Sequence, residues 1–212
     1  MSAAPHLFLD IDEVVRASSL KYGHEQIRQV EEHIPTELVH PAMRPKSAHV
    51  GSGGEMPEWL ARRRHKVKPR QTFRTRCRVS PKLFADIMAL GVDVTMLTTW
   101  LEHDSVDAFF AECYPTFVYE KLNFPGRDFS DPLGAIPADW KYLELCRSLD
   151  ADPRPFIWAD DDEVPIWRDK VEARYPDLPK LLIAPLDDIG LTPFHMTLMR
   201  EFAAEHGGAP LV

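Results

Sequence analysis

Three short runs in this chain are apolar without interruption: Leu7-Phe8-Leu9, Phe156-Ile157-Trp158-Ala159 and Leu181-Leu182-Ile183-Ala184. The first two stop abruptly at aspartates. Each run is too short for a helix and has no polar face, which is the pattern of a strand covered on both sides. A fourth strand is expected from Val92 to Leu97, ending at Thr98-Thr99. Between these runs the period becomes helical. Ser80 and Pro81 suit the start of a helix whose apolar stripe is Leu83, Phe84, Ile87, Met88 and Leu90, with Gly91 just past its end. Further helices are expected from about Ser105 to Cys113, after an Asp139 cap through Leu143, Cys146 and Leu149, around Ile166 to Arg174, and from Thr192-Pro193 to Gly207. Covered strands alternating with helices define an α/β chain with a parallel sheet and helices on both faces.

At roughly 150 residues per domain, 212 residues fit a single domain carrying an insertion. The apolar share of 44% is enough for a core, and the absence of any run of about 18 apolar residues excludes a transmembrane helix. The opening MSAAPHLFLD has no basic segment ahead of its apolar run, so no signal peptide is expected. Cys77, Cys113 and Cys146 stand far apart and form no C-x-x-C pair, which fits a reduced, cytoplasmic protein with no membrane partner. Residues 17–78 break the regular pattern with Pro35, Pro41, Pro45, Pro57, Pro69 and the stretch Gly51-Ser52-Gly53-Gly54. They read as an insertion after the first strand, cap- or lid-like and partly irregular, with a short helix around His24 to His33. Charge is uneven: residues 62–78 hold nine bases and no acid, so a chain of net charge −8 carries −17 on the rest. Such a segment is either a local anion site or a solvated loop.

In an open parallel sheet, function lies beyond the carboxyl ends of the strands. Here those ends carry Asp10 with Asp12, Thr98 with Thr99, and Asp160 with Asp161. Any one such aspartate could be a turn or cap residue. Two acidic clusters and a hydroxyl cluster in one crevice are another matter, because carboxylates that close repel unless a hard cation such as octahedral Mg²⁺ lies between them. The nine histidines form no H-x-x-x-H or H-E-x-x-H motif and read as surface or packing residues. His195 is expected to help dock the last helix. Trp100, Trp158 and Trp167 are expected in the core rather than on a base-stacking platform.

These residues resemble the haloacid-dehalogenase-like (HAD) hydrolases. LFLDIDEVV is similar to the first motif, an apolar strand followed by D-x-D. MLTTW is similar to the second, Lys141 in DWKYLELC stands where the third-motif lysine is expected, and FIWADDDEV is similar to the fourth. Within the superfamily, TTW, W-x-DDD and KLLIAPLDDIGLTPFHMTLM most resemble the HAD domains of "Swiss army knife" RNA-repair proteins. The resemblance covers residues 6–16 and about 76–206 and implies a Rossmann-like, HAD-like three-layer sandwich.

The resemblance also implies a Mg²⁺-dependent phosphohydrolase. Asp10 would be the nucleophile, forming an aspartyl-phosphate, and Asp12 the general acid and then the base. Thr98, favoured over Thr99 because it follows the strand first, would bond a phosphoryl oxygen, with Thr99 beside it. Lys141, with Lys121 and Lys170 as rivals, would neutralise charge on the phosphoryl group and on Asp10. Mg²⁺ would be held by Asp10, the backbone carbonyl of Asp12, and Asp160 or Asp161. Glu13 stands where many members have glycine, so the turn after Asp12 is expected to differ. Arg62, Arg63 and Arg64 would contact the substrate, a phosphorylated small molecule or a nucleic-acid end. Two alternatives stand beside this: a phosphatase for a small metabolite, and a catalytically silent HAD-like binding module. No oligomeric state follows from the sequence.

Overall fold

A computed structural model of the protein describes residues 3–17, 28–35, 72–103, 105–122, 124, 137–186 and 189–210. In chain order these form β1 (His6–Leu9), β2 (Arg16–Ala17), β3 (Arg28–Pro35), β4 (Thr72–Val79), α1 (Pro81–Met88), β5 (Asp93–Met96), a 3-10 turn (Thr99–His103), α2 (Ser105–Cys113), β6 (Glu120–Lys121), α3 (Trp140–Ala151), β7 (Phe156–Ala159), α4 (Glu163–Arg174), β8 (Lys180–Ile183) and α5 (Pro193–Glu205). No helix among the described residues is long and apolar enough to cross a membrane.

Five strands make one parallel sheet in the order β6-β5-β1-β7-β8. Numbered along the chain within that sheet, the order is 3-2-1-4-5, the Rossmann-like arrangement. The chain leaves β1 towards β5 and β6, then returns to the other side of β1 for β7 and β8. That reversal opens a crevice at the carboxyl end of β1.

The uninterrupted apolar runs are explained by two cores, one on each face. Leu7, Leu9, Ile157 and Ala159 pack with Leu83, Phe84 and Ile87 of α1, Val106, Phe109 and Phe110 of α2, and Met196, Met199 and Ala203 of α5. The alternate residues Phe8, Phe156 and Trp158 pack with Trp140, Leu145 and Leu149 of α3 and with Val164 and Val171 of α4. Side chains alternate across a strand, so both sets had to be apolar. The result is three layers.

At the opposite end of the sheet Arg154 ties three strands together. It donates to the Ala4 carbonyl at 2.7 Å, to His6 Nε2 at 2.8 Å and to Asp93 at 2.5 Å. Burial, and then the Arg154 charge, push the His6 imidazole below its ordinary value, which keeps it neutral and able to accept.

The helix signals act through capping. Ser80 Oγ accepts from the Leu83 N–H at 3.2 Å, satisfying one orphan donor of α1. Thr192 and His195 form a reciprocal box at α5: Thr192 Oγ1 accepts from the His195 N–H, and His195 Nδ1 accepts from the Thr192 N–H at 3.1 Å. His195 therefore acts as part of the α5 cap, whereas the sequence reading has it help dock the helix. Asp139 precedes α3 but makes no side-chain cap; its backbone carbonyl accepts from Leu143 instead.

Gly91 sits at φ +64°, and a Cβ there would lie 2.8 Å from the Ala209 backbone nitrogen. Gly91→Ala meets both a left-handed backbone penalty and a clash against main chain. It should lower the unfolding free energy by at least about 1–2 kcal/mol in urea melts. A variant as stable as the parent would show that Ala209 does not pack on this turn.

The chain divides into two compact units, one of residues 1–30 with 77–212 and one of residues 31–76. A second sheet runs in the order β2-β4-β3, with β2 antiparallel to β4 through Arg16–Val79 and Ala17–Arg78. Two expectations for residues 17–78 are corrected here. Of the helix expected around His24 to His33, residues 28–33 belong to strand β3, in a stretch whose β-branched Val30 and Ile34 favour strand, with β4 as partner; residues 24–27 lie outside the described residues. The end of the basic segment is strand β4 rather than loop. Its sequence TFRTRCRV alternates Phe73, Thr75, Cys77 and Val79 with Arg74, Arg76 and Arg78, a period of two partly hidden by the run of bases.

Candidate functional site

Register brings the acids together. Leu9 pairs with Met96 on one side and Ala159 on the other, so Asp10 and Asp160 are neighbours one residue past their strands. The ladder continues that far: Asp10 N–H donates to the Ala159 carbonyl at 3.1 Å, and Leu97 N–H to the Leu9 carbonyl at 2.9 Å. Thr98 comes one residue later and is fully buried, whereas Thr99 is exposed.

Lys141, on the first turn of α3 and 5% exposed, closes the group. Its Nζ donates to Asp10 Oδ2 at 2.7 Å and to Asp160 Oδ2 at 2.7 Å. The remaining oxygens are held by main chain, with Ile11 N–H donating to Asp10 Oδ1 at 2.7 Å and Glu163 N–H to Asp160 Oδ1 at 2.8 Å. The rival lysines lie elsewhere: Lys121 pairs with Asp107 at 2.7 Å, and Lys170 Nζ sits 4.3 Å from the centre of the Trp167 ring.

Burial, and then the Asp10 charge, push both Asp160 and the half-buried Asp161 up to about 7, with Lys141 opposing. Burial alone would lower Lys141, but the Asp10 and Asp160 charges outweigh it and hold the ammonium above the ordinary lysine range. The two directions are consistent because one cation is shared between two anions. Each anion keeps the proton on the lysine while still repelling the other.

Asp10, Asp160 and Asp161 each offer an oxygen within 4.8 Å of the other two. An octahedral ion with oxygens at about 2.1 Å sets neighbouring ligands about 3 Å apart and opposite ones about 4.2 Å apart. The donors are all hard oxygens, and three carboxylates against one ammonium leave an excess of negative charge. These residues fit a small divalent cation.

A sign follows for stability. In the folded, metal-free protein Asp160 and Asp161 hold protons to about 7, well above unfolded carboxylates. Their contribution to stability is full below the unfolded value and is lost as pH rises through about 7. Protons and metal compete for the same oxygens, so millimolar Mg²⁺ should raise the melting temperature at pH 8 by several degrees and far less at pH 5. Equal melting curves with and without Mg²⁺ at pH 8 would exclude a metal site here.

Asp12 is set apart. Its Oδ1 accepts from Arg16 Nη1 at 2.5 Å and its Oδ2 from Trp100 Nε1 at 2.9 Å. Its carboxylate is outside the three-acid group. Burial raises the Asp12 carboxyl most, the Asp10 charge adds to this, and Arg16 and Trp100 pull it back. Glu13 takes φ +48°, a left-handed conformation that glycine adopts without penalty, so the turn after Asp12 carries some strain.

Sequence reasoning missed Arg16, and it assigned Trp100 and Trp167 to packing alone. Trp100 bonds Asp12, and Trp167 Nε1 donates to Glu163 Oε2 at 2.7 Å while stacking on Tyr142, the neighbour of Lys141. A tryptophan in sequence announces bulk, and its N–H partner becomes visible only in three dimensions. The position of Trp100 directly after the Thr98-Thr99 strand end was the available signal. Arg62, Arg63 and Arg64 lie outside the described residues.

A scan against protein-family models, a search of curated proteins and a search of solved structures each returned no match.

Proposed function

We propose that this chain is a HAD-type, Mg²⁺-dependent phosphohydrolase that cleaves phosphomonoesters through an aspartyl-phosphate. The observation that carries the reading is the buried Lys141 bridge between Asp10 and Asp160, with Asp161 beside it, at the topological switch point of the sheet. Gathering buried like charges costs several kcal/mol, about the scale of a protein's whole margin of stability, and is expected where chemistry needs it.

In this reading Asp10 attacks phosphorus in line, the P–O bond to the leaving group breaks, and the leaving oxygen takes a proton from Asp12. Water then attacks the aspartyl-phosphate and gives its proton to Asp12. The bond between phosphorus and Asp10 breaks, restoring the carboxylate and releasing phosphate. Burial, against the opposing pull of Arg16, raises the Asp12 carboxyl above its ordinary value, the direction that suits a general acid. Thr98 Oγ1 accepts from the Trp100 backbone N–H, which leaves its own proton to donate to a phosphoryl oxygen. Lys141 offsets charge on the transferred group and orients Asp10. Asp10, the Asp12 carbonyl, Asp160 and Asp161 would hold Mg²⁺, which would supply the rest of the charge neutralisation.

The test is phosphate release by purified protein from nucleotides, sugar phosphates and 3′- or 5′-phosphorylated oligonucleotides, with and without Mg²⁺. Release that needs Mg²⁺ is expected. Preference for oligonucleotide ends is the first expectation, from the subgroup resemblance and the basic run at 62–78. Activity confined to mononucleotides or sugar phosphates assigns a small-metabolite phosphatase. No release from any class overturns the reading and leaves the silent binding module.

A further inference from the structure

We propose that Trp100, together with Arg16, is a positioning residue that holds the Asp12 carboxylate in the orientation from which it protonates a leaving group; this rests on the phosphohydrolase reading above. The two donors engage different oxygens of one carboxylate, so together they fix its plane as well as its place. A general acid has to be held within about 0.5 Å and 10–20° of its productive geometry, and an aspartate in a loop does not achieve that by its own rotamer preference.

The clamp is itself anchored. The Trp100 ring packs edge-on to Phe109 of α2, with centroids 5.3 Å apart and planes at 72°, and the Trp100 backbone N–H donates to Thr98 Oγ1 at 3.4 Å. The Arg16 guanidinium carbon lies 5.8 Å from the centre of the indole. The Arg16 N–H donates to the Ile11 carbonyl at 3.0 Å, and Arg16 is paired in β2 opposite Val79. Asp12 is thus connected to the core of α2 on one side and to the strand pair β2–β4 on the other.

The chemistry of the partners matters too. Indole and guanidinium nitrogens only donate. Neither can take the Asp12 proton, so a proton on this carboxyl must occupy a lone pair outside both bonds, where only the leaving oxygen or the attacking water competes for it. A histidine or carboxylate in the place of Trp100 would offer the proton a second home.

A general acid matters in proportion to how poor the leaving group is. An alkoxide needs the proton as the bond breaks, whereas p-nitrophenolate leaves almost without help. kcat/KM reports steps only up to formation of the phosphoenzyme, so it isolates the acid role of Asp12 from its later role as base. The experiment compares kcat/KM for a nucleoside 3′-phosphate and for p-nitrophenyl phosphate in the parent, Asp12→Asn and Trp100→Phe. Loss of the general acid should cost about 10²–10⁴-fold on the alkyl ester. Trp100→Phe keeps an aromatic ring at this position and removes the indole N–H together with the fused five-membered ring. It should lower the alkyl ester by about 10–100-fold, less than outright loss of the acid, and the aryl ester several-fold less.

An equal fall on both esters means a structural defect and overturns the inference, as does no fall on the alkyl ester. Replacing Trp100 by benzothienylalanine, which keeps the bicyclic shape without the N–H, gives the same comparison if the phenylalanine variant does not fold. An inactive parent, or an Asp10→Asn protein that turns over, overturns the phosphohydrolase reading itself. Failure of the clamp alone shows in an active parent whose Asp12→Asn variant has the ester split and whose Trp100→Phe variant lacks it.

Discussion

Asp10→Asn should fold as the parent does and release phosphate at less than about a thousandth of its rate, the scale on which covalent catalysis fails when its nucleophile is removed. The amide is nearly the size of the carboxylate. Its carbonyl can still accept from the Ile11 N–H, now bonded to Asp10 Oδ1 at 2.7 Å. Its nitrogen, however, would face Lys141 as one donor faces another, and it has no anionic lone pair for phosphorus. The fold gains something in exchange, because Asp160 loses an anionic neighbour that now pushes its carboxyl upward. The Asp10→Asn protein should therefore melt no lower than the parent in the absence of metal, and its Mg²⁺ response should shrink. Single-turnover assays with a labelled monoester check the first point. A folded variant that keeps more than a thousandth of the activity would remove Asp10 from the nucleophile's role.

Lys141→Met should have the largest effect on stability. Methionine fills much of the same volume without charge, so the main loss is electrostatic. Asp10 and Asp160 would then be buried, 6% and 0% exposed, with no cation between them. Breaking a buried ion pair from one side costs about 3–5 kcal/mol, because the abandoned charge cannot be rehydrated. In metal-free protein at pH 8 that is the expected drop in urea melts. At pH 5 the drop should be smaller, since Asp160, already pushed to about 7, takes up a proton instead. Mg²⁺ should restore part of the stability at pH 8 but not turnover: an ion can screen the carboxylates, but it does not replace an ammonium aimed at the phosphoryl group. A loss below about 1 kcal/mol in metal-free protein at pH 8, the scale of an exposed pair, would show that the bridge is not buried as described.

Strand-end reasoning singled out Asp10, and the resemblance singled out Lys141; the first of these has a physical basis. A strand covered on both faces must be apolar throughout, so a polar residue can stand only where the strand ends. In β1 and β7 the first polar residue is the one that register aligns, Asp10 beside Asp160. Thr98 emerged by the same logic, past β5. Lys141 is less legible, because a lysine on a helix is ordinarily solvated. Only the packing of Trp140, Leu145 and Leu149 under the sheet turns this one inward.

The pattern of apolar runs, caps and helical stripes thus determined by itself that the chain is α/β, that its sheet is covered on both faces, and which strand ends are polar. These are local consequences of burial and backbone geometry. Tertiary structure alone decided which strands are neighbours, that β3 and β4 are strands rather than helix and loop, and that Lys141 rather than Lys121 or Lys170 meets the acids. It alone brought Trp100, 88 positions along the chain, to Asp12. Strand pairing and long-range hydrogen bonds depend on what lies opposite in space. A donor in an indole ring or a guanidinium carries no mark in the sequence of the acceptor it will find.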